Sequence, residues 1–174
     1  MSFFNKIKQG LGLGTLDAKL NVPAQITGTS GQFEGDFSLT AKSDQQIKEI
    51  KVKFEKVLRW DETKFRRDSN GHEERYTAHE SQTFELGVFD DKTPFGMKAN
   101  ETKTVHFVVQ FQPFNPLADA QKVANQSGVA AVLGVVADIA AGRRNERTEY
   151  RVEGKVDLKD VMFDPSDAKD VFVV

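Results

Sequence analysis

The sequence predicts an all-β chain folded as an antiparallel β-sandwich, with a short N-terminal helix and one helical insert before the last strands. Three observations predict it. Val105, Phe107, Val109 and Phe111 alternate with Thr104, His106, Val108 and Gln110, and side chains on a strand point to opposite faces in turn, so one face is buried and the other wet. Similar runs recur along the chain, and half-buried strands in succession build antiparallel sheets. The aromatic content is 14 Phe against 2 Tyr and 1 Trp; rings without a polar handle suit the space between two stacked sheets.

In chain order, Phe3, Phe4, Ile7 and Leu11 share a helical stripe that Gly10, Gly12 and Gly14 terminate, which predicts a short amphipathic helix and a glycine-rich stop over 1–14. Leu16, Ala18, Leu20 and Val22 form a first strand closed by Pro23. The turn Gly28–Gly31 leads to a second strand through Phe33, Gly35, Phe37 and Leu39. Ile50, Val52 and Phe54 alternate, but Val57, Leu58 and Trp60 break the phase, which predicts a β-bulge in a long strand. Between Arg59 and Glu80 the chain is crowded with charge around Asp68-Ser69-Asn70-Gly71, and Asn-Gly marks an exposed hairpin anchored by Phe65 and Tyr76. A strand over Thr83–Phe89 follows, then the turn Asp90–Pro94.

Pro113 and Pro116 end the 105–111 strand, with Asn115 as N-cap and Pro116 in the first helical turn. The Ala- and Val-rich stretch 117–141 predicts a helical insert over 116–142, divided at Gly128, capped by Gly142 and favoured by Arg143 and Arg144 at its negative end. Tyr150, Val152, Gly154, Val156 and Leu158 return to period two, and a turn at Asp164–Asp167 leads to a final strand, Val171–Val174. With no internal repeat, residues 15–174 read as one domain.

Composition narrows the function. A charge of −2 exerts no global pull on nucleic acid or anionic lipid, and nucleic acid is not expected as a partner. The absence of Cys excludes disulfides, thiolate catalysis and cysteine metal sites. The N-terminus lacks the apolar core of a signal peptide, and no apolar run reaches the ~18 residues of a transmembrane segment, so a cytoplasmic protein is expected.

Individual motifs carry little chemistry. Gly10-Leu11-Gly12-Leu13-Gly14 has the glycines of a phosphate loop, but a dinucleotide loop follows a strand and opens a helix, the reverse of the order here. His72 and His79 flank Glu73, Glu74 and Glu80 and could gather round a metal, yet they lack helical H-E-x-x-H spacing. Asp164, Asp167 and Asp170 lack the glycine and terminal glutamate of a calcium loop. No nucleophile–base set can be assembled around the remaining His106, so neither an enzyme nor a cofactor is expected. Lys64, Arg66, Arg67 and Arg75 form a basic cluster, but Asp61, Glu62, Asp68, Glu73 and Glu74 intermix with it, which favours a protein contact over phosphate. Phe3, Phe4 and Ile7, together with Arg66, Arg67 and the insert residues Val132 and Val136, are the candidate partner contacts. The nearly all-round apolarity of Val129–Ala141 also predicts homodimerisation through the insert.

Several stretches resemble the sporulation-control proteins, whose domains are arrestin-like, immunoglobulin-like β-sandwiches: Met1-Ser2-Phe3-Phe4 with the glycine stop, Gly31–Leu39, Ile47–Phe54, Val105–Leu117 ending in FNPL, and Val156–Val174 with its DLKDVMFDPSD. The resemblance implies a non-enzymatic regulatory or scaffolding protein that binds other proteins through sheet edges and exposed hairpins. The strand–helix–strand passage from 104 to 158 also resembles the water-stress domain of late-embryogenesis-abundant proteins, which implies a stress-protective sandwich as an alternative. A metal-dependent enzyme around His72 and His79 is the third class of reading.

Overall fold

Two sheets enclose a phenylalanine-rich interior. The computed structural model describes residues 14–67, 69, 71–116, 143–162 and 164–174. Its strands are β1 (Leu16–Asn21), β2 (Gln25–Ile26), β3 (Gln32–Ala41), β4 (Gln45–Arg67), β5 (Glu73–Asp91), β6 (Phe95–Met97), β7 (Thr102–Gln110), β8 (Arg143–Leu158) and β9 (Ser166–Val173). One sheet runs β1-β3-β7; the other runs β2-β9-β8-β4-β5, with β6 on the start of β4. All pairings are antiparallel except β2 with β9. Among the described residues, helical conformation is found in a 3₁₀ turn at Gly28–Ser30 and at Pro116, and no described helix is long and apolar enough to cross a membrane. Of the predicted N-terminal element over 1–14 and insert over 116–142, only Gly14 and Pro116 are described; the rest, with Phe3, Phe4, Ile7, Val132 and Val136, lies outside the described residues.

The alternation predicted for the first sheet is what pairs it. Phe37 and Leu39 of β3 and Phe107 and Val109 of β7 are buried, while Ser38 and Thr40 meet Thr104 and Thr102 hydroxyl to hydroxyl at 3.2 and 3.1 Å on the wet face. Val52, Phe54, Val152 and Val156 close the core from the second sheet. Phe33 stands edge-on to Phe54, with ring centroids 5.4 Å apart, and Phe54 edge-on to Phe111 at 5.2 Å, an arrangement that aromatic quadrupoles favour. Gly154 sits where β8 passes under Phe37: a Cβ there would lie 2.9 Å from the ring.

Four expectations are corrected. Arg143 and Arg144 begin β8 rather than end a helix, because β8 pairs with β4 as far as Arg143↔Glu62. The last strand starts at Ser166, earlier than Val171, and the strand predicted over Thr83–Phe89 is the latter part of a β5 that begins at Glu73. The phase break in β4 is no bulge of that strand. β4 pairs with β8 without a slip from Glu49 to Arg59, so Phe54 and Val57 face opposite sides. The extra residue is Leu86 of β5, between Gly87 opposite Phe54 and Glu85 opposite Glu55, and Leu86 packs against the core.

The two sheets are tied at both flanks. On one side Gly87 of β5 bridges Phe111 beyond β7, and a Cβ at Gly87 would overlap the Gln110 carbonyl oxygen. On the other, the Leu20 amide of β1 donates to Asp167 Oδ2 of β9 at 2.8 Å. Burial acts to raise the Asp167 carboxyl, but the bonds from Leu20, Lys169 and Ala168 outweigh it and hold the group below the usual carboxylate range.

Replacing Gly154→Ala should lower stability by about 1–3 kcal/mol through overpacking against Phe37, read as a lower urea midpoint at unchanged slope. Replacing Asp167→Ala should cost about 1–3 kcal/mol at neutral pH by orphaning the Leu20 amide. Because the folded-state pKa of Asp167 is depressed, its contribution is complete above the ordinary Asp range and lost as pH falls through the folded value. The gap between wild type and variant should therefore close in acid; a gap constant with pH would contradict the assignment.

Candidate interaction surface

β4 continues well past the sandwich. None of its residues beyond Val57 is buried, and none of them joins the main core cluster. From there β4 and β5 form an arm that keeps register from Val57↔Thr83 to Arg67↔Glu73, with β8 alongside as far as Glu62↔Arg143. Gly71, with a positive φ of 84°, stands between the two strands; Asp68 and Asn70 of the predicted turn lie outside the described residues.

Strand alternation sorts the arm's mixed charges by face. On the face continuous with the core, Lys64 pairs with Glu80, Arg66 donates to Glu74 at 2.7 Å, and the Arg66 guanidinium lies 5.7 Å from the Tyr76 ring centroid. The hydrogen bond from Lys64 to Glu80 pushes the ammonium up from its ordinary value. Arg66 is thus committed within the chain. Arg67, its neighbour, falls on the other face with Phe65, which is 65% exposed; Arg75 stands directly opposite Phe65. Neither Arg67 nor Arg75 makes an ion pair within the described residues. The cluster read from the sequence as one group of cations is therefore divided, with Lys64 and Arg66 internally paired and Arg67 and Arg75 available.

Nearer the sandwich, the outer face carries a ladder of ion pairs: Lys53–Glu85 at 2.9 Å, Arg151–Glu55 at 2.7 Å, and Arg59–Glu149 at 2.7 Å. On this same face Glu55 and Val57 are buried, 6% and 5% exposed. The hydrogen bond to Glu55 raises Arg151 further, and the one from Arg59 lowers Glu149. His79 Nδ1 lies 2.6 Å from Asp61 Oδ1, and Asn145 donates to Asp61 Oδ2 at 2.9 Å. Those bonds, Asn145 first, lower the Asp61 carboxyl.

The other candidates do not assemble. His72 precedes β5 and His79 is taken by Asp61; among the described residues no group of three or more His, Asp or Glu could hold a metal ion. Asp164 accepts from Lys155 at 3.0 Å while Asp167 serves Leu20, so the predicted aspartate trio diverges. His106 is exposed beside Asp36 at 3.1 Å. An open depression of about 630 Å³ is lined by Lys51, Lys53, Glu153, Lys155, Met162 and Asp164. Its cations are held by Glu49, Glu85 and Asp164.

Sequence reasoning expected contact through sheet edges and exposed hairpins but did not single out the edge of β5. β5 is the last strand of its sheet. Beyond Gly87, where it meets Phe111, its outer edge from Glu73 to Leu86 has no neighbouring strand among the described residues. A stretch such as EERYTAHESQ has no apolar alternation, so the predicted hairpin gave neither the length of this strand nor which of its sides lacks a neighbour.

No family model and no curated protein matches the chain. Among solved structures it is similar to the crystal structure of Spo0M, a sporulation control protein from Bacillus subtilis, at 14% identity and a TM-score of 0.49. The alignment covers 92% of this chain and 49% of that one, so the chain spans about half the length of that structure.

Proposed function

We propose that the chain is a non-enzymatic regulatory or scaffolding protein that binds other proteins through the open edge of β5 and the arm it borders. The observation that carries this reading is the unpaired run Glu73–Leu86, held out from the sandwich by its pairing with β4. Unpaired amides and carbonyls along an edge are a template for an added strand, and natural sheets commonly guard such edges with Lys or Pro. From Arg75 to Glu85 the sequence has neither. Tyr76 and Phe84, 39% and 38% exposed, offer ring surface on one face of the edge. Arg75, Thr77, His79, Ser81 and Thr83 offer polar contacts on the other. Phe65 and Arg67 extend the contact towards the tip. The resemblance of the sequence to the sporulation-control proteins points the same way.

Affinity capture with the full chain should recover a partner in stoichiometric amount at physiological salt. The variant Thr77→Lys/Thr83→Lys, which places guard charges at two exposed edge positions, should lose that partner while keeping the urea midpoint of the wild type. Equal recovery by both chains would contradict edge binding, as would no recovery by either from a chain that is also monomeric.

A further inference from the structure

We infer that the occupant of the β5 edge is a second copy of this chain, paired antiparallel about a two-fold axis at Glu80; this rests on the edge-binding reading above. A two-fold axis normal to the sheet keeps each face on its own side, so opposed residues i and j must share parity and have a constant sum. Centred on Glu80, Arg75 of one copy stands opposite Glu85 of the other, Tyr76 opposite Phe84, and Thr77 opposite Thr83. Each of these pairs occurs twice by symmetry. Opposite charges, paired rings and Thr–Thr are the cross-strand combinations that stabilise antiparallel pairs. Ala78 would meet Gln82, and His79 would meet Ser81.

The residues concerned are free to do this. Arg75 makes no ion pair within the described residues. Glu85 takes Lys53 at 2.9 Å on the β4 side and is 46% exposed. The one like-charged opposition, Glu80 with its own copy, is relieved because each Glu80 is already ion-paired to Lys64. Neighbouring registers are worse. Moving the centre to His79 sets Glu73 against Glu85 and Arg75 against Thr83. Moving it to Ser81 sets Arg75 against Gly87, where Phe111 already sits. The window Arg75–Glu85 also stops short of Leu86, the extra residue of β5. Charge complementarity, aromatic pairing and the end of the free edge thus select the same centre.

Sedimentation velocity on the purified full chain tests this. The wild type should move from 19.4 kDa towards twice that mass as concentration rises. Arg75→Glu should raise the dimer dissociation constant roughly tenfold or more, since two attractive oppositions become repulsive. The exchange Arg75→Glu with Glu85→Arg should restore it. As the chain has no Cys, Thr77→Cys/Thr83→Cys should form an intermolecular disulfide on oxidation, and Thr77→Cys/Ser81→Cys should not. A wild type that stays monomeric, or a dimer indifferent to Arg75→Glu, overturns the second copy. If the monomer nevertheless captures a partner that the Thr77→Lys/Thr83→Lys variant loses, edge binding stands and only its occupant is wrong.

Discussion

One strand, β4, obliges the rest of the molecule to take its form. It pairs with β8 without a slip from Glu49 to Arg59, so its even-numbered residues keep one face and its odd-numbered residues the other. The even face supplies Ile50, Val52 and Phe54 to the core and then, past the sandwich, Glu62, Lys64 and Arg66 to the paired charges of the arm. The odd face supplies Lys53, Glu55 and Arg59 to the outer ladder and Phe65 and Arg67 to the exposed tip. A shift of one residue would turn every one of these side chains to the wrong side.

The arm draws its rigidity from that continuity more than from its own contacts. Exposed ion pairs contribute little singly, and isolated two-stranded ribbons are marginal. β4 is anchored by Phe54 and Val52, both fully buried, and β8 braces it from the other side as far as Glu62. What projects is therefore an extension of a packed sheet, with ion pairs setting the register and the core setting the stability. The flanks differ in kind: Asp167 closes one side with a side-chain bond to Leu20, and Gly87 closes the other by close backbone approach. Beyond Gly87 the outer edge of β5 is left open among the described residues.

Much of the sandwich was legible because its strands obey the simple rule. Phe37 and Leu39, Phe107 and Val109 alternate and are buried, and the phenylalanines do fill the interior. The exceptions are instructive: Phe65, Phe84 and Phe172 are exposed, Phe65 on the arm and Phe84 at its base, where no second sheet covers the strands among the described residues. The arm itself was only half visible. Its turn and exposure could be read from Asn-Gly and the density of charge, but its length rests on cross-strand partners such as Lys64 with Glu80, which no local pattern announces. Arg66 and Arg67 are adjacent in sequence and opposite in structure, so the cluster lost its unity on folding. Asp167 read as a turn residue, and its partner Leu20 is 147 positions away.

The register of β4 against β5 is the claim on which the face assignments, the open edge and the divided cluster all stand. Cross-strand nuclear Overhauser contacts between backbone protons of the isotope-labelled chain measure it directly. The account predicts contacts joining Trp60 with Glu80, Thr63 with Thr77 and Phe65 with Arg75. Contacts displaced by one residue, or none beyond Val57 and Thr83, would contradict it.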